Sequence, residues 1–129
     1  MAHVSLGCVS HGDVGYVHSF GVQEIWHGQF SQGMYYGLSC GGVIAPSYPL
    51  ARTWKPGMKV LVRWNRPVDG EDNWIERFAT IPYYDSIGSL TAHFFPNEQV
   101  RLVVSNYYPE SRYYPIPLHS TTPPPEPTP

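Results

Sequence analysis

From Lys59 onward apolar residues recur at every second position, a period that suits a half-buried strand and not a helix. In Lys59–Asn65, Val60, Val62 and Trp64 fall on one face, and Leu61 and Arg63 on the other. In Gln99–Ser105, Val100, Leu102 and Val104 share a face before the chain breaks into tyrosines and prolines that cannot continue a ladder. Turn residues cut these runs: Pro56-Gly57 precedes the first, residues 67–72 separate it from a strand at 73–81, and Pro96-Asn97-Glu98 joins Ser89–Phe95 to Gln99–Ser105. Nearer the start, residues 4–10, 16–22 and 24–30 alternate. Residues 11–15 carry hairpin chemistry, because Gly and Asp tolerate the positive φ of tight turns. Gly33, Gly37, Gly41 and Gly42 mark a loop or a bulged strand. Long helical stripes are absent, and helix is limited to one short turn near residues 83–88. Seven or eight short strands between turns read as an all-β fold, an antiparallel β-sandwich or partly open barrel.

A chain of 129 residues is one domain. Eight of the fourteen prolines lie after Ser105, so residues 106–118 are expected as an extended Pro/Tyr-rich arm on a single domain of residues 1–118. Residues 119–129 bury too little apolar surface to order themselves and are expected to be disordered. A formal charge of −2 gives no basic footprint for a nucleic acid. The sequence holds no apolar run long enough to span a bilayer as a helix, and its first residues lack both regions of a signal peptide. Cys8 and Cys40, the only cysteines, fit one disulfide or two small buried hydrophobes, and the sequence favours neither.

Catalytic signatures are missing. No nucleophile elbow, phosphate loop, Cys-x-x-Cys or His-x-x-x-His motif occurs, so no catalytic, cofactor or metal residue is assigned. His11 and His18 would meet across the hairpin at 11–15, with Asp13 as a third metal ligand, but isolated surface histidines are the commoner case. Glu24 and Glu76 make a carboxylate pair only if the fold brings them together. The turn bearing Asp69, Glu71 and Asp72 lacks the ligand order of a calcium loop and reads as a solvated acidic loop that a partner would meet.

The aromatic inventory says more. Eight of ten tyrosines stand in four doublets, each beside Gly, Pro, Asn or Asp. The bland reading, strongest for Tyr35 and Tyr83, has inner rings covering the core edge and outer rings filling a charge-poor surface. The sharper one makes Tyr107, Tyr108, Tyr113 and Tyr114, with Arg112 between them, a rigid amphipathic patch of the kind that anchors protein interfaces. Trp64 and Trp74 are expected to pair across their hairpin.

The string Trp54-Lys55-Pro56-Gly57, then Val60-Leu61-Val62-Arg63-Trp64, and finally Val103 to Pro109 with Tyr114-Pro115-Ile116-Pro117 resembles a family of short bacterial envelope proteins. Its members are secreted or lipid-anchored, and many are encoded beside lipase or phospholipase effectors of the type VI secretion system. The resemblance runs from about Val4 to Pro117 and implies an immunity protein. Such a protein would bind its cognate effector in the periplasm and occlude it, with its leader or lipid-anchor signal lying outside this chain. The partner-binding residues are then Tyr107, Tyr108, Arg112, Tyr113, Tyr114, Asp69, Glu71 and Asp72. The alternative is an envelope carbohydrate- or lipid-binding module, since Trp and Tyr on a sandwich also stack on sugars.

Overall fold

The computed structural model describes residues 2–26, 29–30, 34–37, 40 and 45–127. Among them nine strands form two sheets: β1 Ala2–Ser10, β2 Ser19–Trp26, β3 Gln29–Phe30, β4 Tyr35–Gly37, β5 Ala45–Leu50, β6 Lys59–Asn65, β7 Trp74–Thr80, β8 Ser89–Phe95 and β9 Gln99–Ser105. The first sheet runs β5-β1-β8-β9. The second runs β3-β2-β6-β7, with β4 also on β2. The fold is an all-β sandwich with no barrel closure.

Alternation places the core. Phe20 and Val22 of β2, Val60, Val62 and Trp64 of β6, and Ile75 of β7 face Leu6, Leu90, Ala92, Phe94 and Leu102 of the other sheet, all buried. Trp64 stacks on Phe94 with ring centroids 4.7 Å apart. Burying a side chain of this size contributes roughly 1.5–3 kcal/mol.

Four expectations are corrected. Residues 11–15 are not a hairpin: β1 and β2 lie in different sheets, and the chain crosses between them through a short 3₁₀ turn at Gly12–Val14. The strands expected at 16–22 and 24–30 are instead one longer strand, β2, and the short β3, which pairs antiparallel with it, Ile25 opposite Phe30. β1 and β8 pair in parallel, from Leu6 opposite Leu90 to Ser10 opposite Phe94. A parallel pair needs a long connection, and here every strand of the second sheet lies between β1 and β8 in the chain, so no local signal announces it. Trp64 lies opposite Ile75 rather than Trp74: Trp64 faces the core, and Trp74 lies outside under the guanidinium of Arg63, 4.6 Å from its ring.

Residues 83–88 hold no helical turn, only a bend at Asp85 and Ser86. β5 was not anticipated, because Pro46 and Pro49 argue against a strand; it survives at the sheet edge, where proline is tolerated. The glycine cluster at Gly33, Gly41 and Gly42 lies outside the described residues.

Candidate functional site

Beyond β9 the chain makes two tight turns in succession. Ser111 N–H donates to the Tyr108 carbonyl at 2.9 Å, with Pro109 at the corner, and Tyr114 N–H donates to the Ser111 carbonyl at 3.1 Å. The hydroxyl of Ser105 accepts from Tyr107 N–H at 3.0 Å, and that of Ser111 from Tyr113 N–H at 3.1 Å, fixing both turns locally. Aromatic and cationic side chains are thereby displayed at the corners. Tyr107, Tyr108 and Tyr113 are 54%, 73% and 61% exposed. Tyr107 and Tyr113 lie 5.4 Å apart ring to ring, and Arg112 packs over Tyr113 at 4.8 Å while donating to its hydroxyl at 2.7 Å.

Beside these turns lies a cleft of about 310 Å³ whose walls include Tyr83, Asp85, Ser86, Asn106, Tyr107 and Tyr113. Tyr83 is exposed and meets the edge of Trp54 at 5.4 Å; its neighbour Tyr84 turns inward and donates to the Ala51 carbonyl at 2.5 Å. At the same end, between the sheets, Ile25, Tyr48, Leu50, Met58 and Ile81 enclose an apolar cavity of about 400 Å³, with Glu24, Lys55 and Lys59 also on its lining. Burial, with Glu24 nearby, raises the pKa of the Tyr48 hydroxyl.

The structure divides the eight residues expected to meet a partner. Tyr107, Tyr108, Arg112 and Tyr113 stand together. Tyr114 leaves them: it is only 6% exposed and belongs to a small second core with Phe95, Val103 and Ile116. The acidic turn sits at the opposite end, where β6 and β7 meet. Val68 and Glu71 exchange backbone hydrogen bonds around Asp69 and Gly70, which have φ of 51° and 79°. Positive φ at both corners is the type I′ hairpin turn that Asp-Gly favours, so Asp69 has a structural task. The carboxylate of Asp72 accepts from the side-chain amide of Asn65 at 2.9 Å. Glu71 is exposed.

The Cys8 and Cys40 sulfurs are bonded, with Cα atoms 4.8 Å apart, tying β1 to the segment after β4. Glu24 and Glu76 face opposite sides of one sheet: Glu24 pairs with core-facing Val60, whereas Glu76 pairs with Arg63 and lies 3.6 Å from its guanidinium. They cannot share a substrate. No cluster of three or more metal-ligating side chains occurs among the described residues. The His18 ring meets the Ser19 hydroxyl at 3.2 Å and Tyr16 edge-on, and His11 instead pairs with His93.

That histidine pair is the feature sequence reading missed. His11 Nδ1 donates to the Ser120 carbonyl at 2.8 Å, which leaves His11 Nε2 as an acceptor; His93 Nδ1 donates to it at 2.8 Å, and His93 Nε2 accepts from the Tyr114 hydroxyl at 2.8 Å. Each proton in the chain is assigned by the one carbonyl at its end. Both imidazoles are fully buried. Burial, then the His11 ring, lowers the pKa of His93 to about 3; burial also lowers that of His11, and raises the Tyr114 hydroxyl to about 12. The only advance signal was that His93 sits out of phase with the core-facing Leu90, Ala92 and Phe94.

Residues 11–102 match the model of a protein family described as "Protein of unknown function (DUF3304)". The match ends inside β9, before the aromatic turns begin. No curated protein and no solved structure matches the chain.

Proposed function

The chain belongs to this DUF3304 family, and we propose that it works by binding, as an immunity protein that occludes a cognate lipase or phospholipase effector of a type VI secretion system in the periplasm. The observation that carries the reading is the exposed group of Tyr107, Tyr108, Tyr113 and Arg112 on two fixed turns of a disulfide-tied sandwich. Rigid aromatic rings and arginine are the side chains that concentrate energy at protein interfaces, because they cover large areas at small entropic cost. The effector and the compartment come from the sequence resemblance alone. The acidic turn, at the far end, is not part of this face.

Mixing the purified protein with its neighbouring effector tests the proposal. Stoichiometric loss of lipase activity and nanomolar binding, about −12 kcal/mol, are expected. A Tyr108→Ala, Arg112→Ala variant should weaken binding about 100-fold or more while melting like the parent, since hot-spot truncations cost roughly 2–4 kcal/mol each and both side chains are on the surface. Inhibition that survives this double substitution would move the interface elsewhere, and failure to bind any neighbouring lipase would sink the reading.

The cleft favours a second reading. Tyr83, Tyr107 and Tyr113 line it beside Asp85, Ser86 and Asn106, which is the combination of aromatic and polar groups that a sugar requires. Glycan binding that is lost on Tyr83→Ala and is indifferent to any lipase would put an envelope carbohydrate-binding module first.

A further inference from the structure

The arm returns across the outer face of the first sheet and is fastened there at three points. Tyr114 bonds His93, Ser120 bonds His11, and farther on Arg101 Nε donates to the Pro124 carbonyl at 2.7 Å, with Glu126 3.6 Å from the same guanidinium. Residues 119–127, expected to be disordered, therefore lie against the domain. Two of the three fastenings are made to a buried imidazole: the Tyr114 hydroxyl donates to the neutral His93 ring, and His11 donates to the Ser120 carbonyl. His93 Nε2 accepts from the Tyr114 hydroxyl only while it carries no proton, and His11 Nε2 accepts from His93 on the same condition. A proton on the pair puts a charge on rings shut off from water. Because the Tyr114 hydroxyl can turn toward Thr91 and accept from His93, it is the lost hydration of that charge, not a broken hydrogen bond, that opposes protonation while the arm is down.

We propose that the His11–His93 pair is an acid-released latch: protonation frees residues 114–126 from β8 and β9, and with them the turn that presents Arg112 and Tyr113. This deepens the binding function proposed above and rests on it for its consequence, although release itself does not.

The Ser120 and Leu118 carbonyls favour a charge on His11, but burial outweighs them, and among the described residues no side chain around either ring supplies an opposite charge. From β9, Arg101 lies directly opposite His93. From β8, Phe95 stacks on His11 with ring centroids 4.3 Å apart, and Thr91 bonds the Tyr114 hydroxyl. From the arm come the Tyr114 hydroxyl and the Ser120 and Leu118 carbonyls. Asp13, two residues from His11, is exposed and gives its backbone carbonyl to Arg66. No carboxylate lies within ion-pair distance of either histidine among the described residues. A proton is therefore accepted only by lifting the arm, after which each ring is solvated and regains an ordinary value near ~6.5. Through His93 alone, the opening equilibrium rises about 30-fold between pH 7.5 and pH 5.

Hydrogen exchange on the free protein reads this without any partner. Protection factors of arm amides, after correction for intrinsic rates, should lie below those of β2 and β6 at both pH values and fall at least tenfold from pH 7.5 to pH 5, and His93→Gln should flatten that dependence. Equal arm protection at both pH values, or arm protection as high as that of β2 and β6, which would mean that the arm opens only when the whole domain unfolds, would overturn the latch. Should His93→Gln fail to fold, histidine ring shifts in the wild-type NMR spectrum replace it: both rings must titrate together with arm release. The effector then separates the two claims. Weaker binding at pH 5 than at pH 7.5, tracking release, supports regulation of the site. Unchanged binding with a released arm overturns it, and absence of binding at every pH overturns the immunity reading while the exchange data judge the latch.

Discussion

Gly88 shows how one missing side chain sets the spacing of two strands. A Cβ at this position, ahead of β8, would lie 2.4 Å from the backbone carbon of Ser105 at the end of β9, and backbone cannot swing aside as a flexible side chain would. Gly88→Ala should cost about 1–3 kcal/mol of stability in chemical denaturation. Gly7→Ala is the control, since an added Cβ there meets nothing within 4 Å. Tyr114→Phe makes a different test. It keeps the ring in its small core but leaves His93 Nε2 buried with no donor, so a loss of about 1–3 kcal/mol is expected. Equal stability of the two proteins would mean that the hydroxyl contributes no net hydrogen bond.

At the scale of elements, alternation made β6, β8 and β9 legible with their bounds, because each has a core-facing set at every second position. The same rule did not foresee the outer face of β8. Thr91, His93 and Phe95 are buried too, although nothing in their own strand requires it. The arm covers them, and its contacts connect residues far apart in sequence. The disulfide illustrates the same limit: spacing left Cys8 and Cys40 undecided, and bringing β1 beside the segment after β4 decided it. Closing a loop of sequence separation 32 removes entropy from the unfolded chain worth about 3–4 kcal/mol. Reduction should lower the denaturation midpoint accordingly, and an unchanged midpoint would mean that strain in the folded state cancels the gain.

Across the whole molecule the buried histidines and tyrosines predict a stability curve with two falling sides. His93 has a folded pKa near 3 against an ordinary 6.5, so below about 6.5 the unfolded chain binds the proton and the folded one does not. Stability is fully present above that value and falls as the pH drops toward 3, by up to about 1.4 kcal/mol per pH unit. Tyr114 reverses the sign: its folded pKa near 12 lies above the ordinary 10, so stability is complete below 10 and declines as the pH rises toward 12. Thermal melts between pH 4 and pH 11 should show a plateau from roughly 6.5 to 10. A His93→Gln protein should lose much of the acid slope; an identical slope would place the sensitive groups elsewhere.

The sequence by itself determined the all-β class, the inward faces of β6, β8 and β9, and the display of Tyr107, Tyr108, Arg112 and Tyr113, because period, proline and turn chemistry act over a few residues. Only the tertiary structure decided that β1 runs parallel to β8, that the acidic turn lies at the opposite end from the tyrosines, that Tyr114 is buried, and that His11 meets His93. Those facts depend on which distant segments share a sheet and what covers its outer face, and in each case the contact joins residues whose local sequences carry no mark of the other.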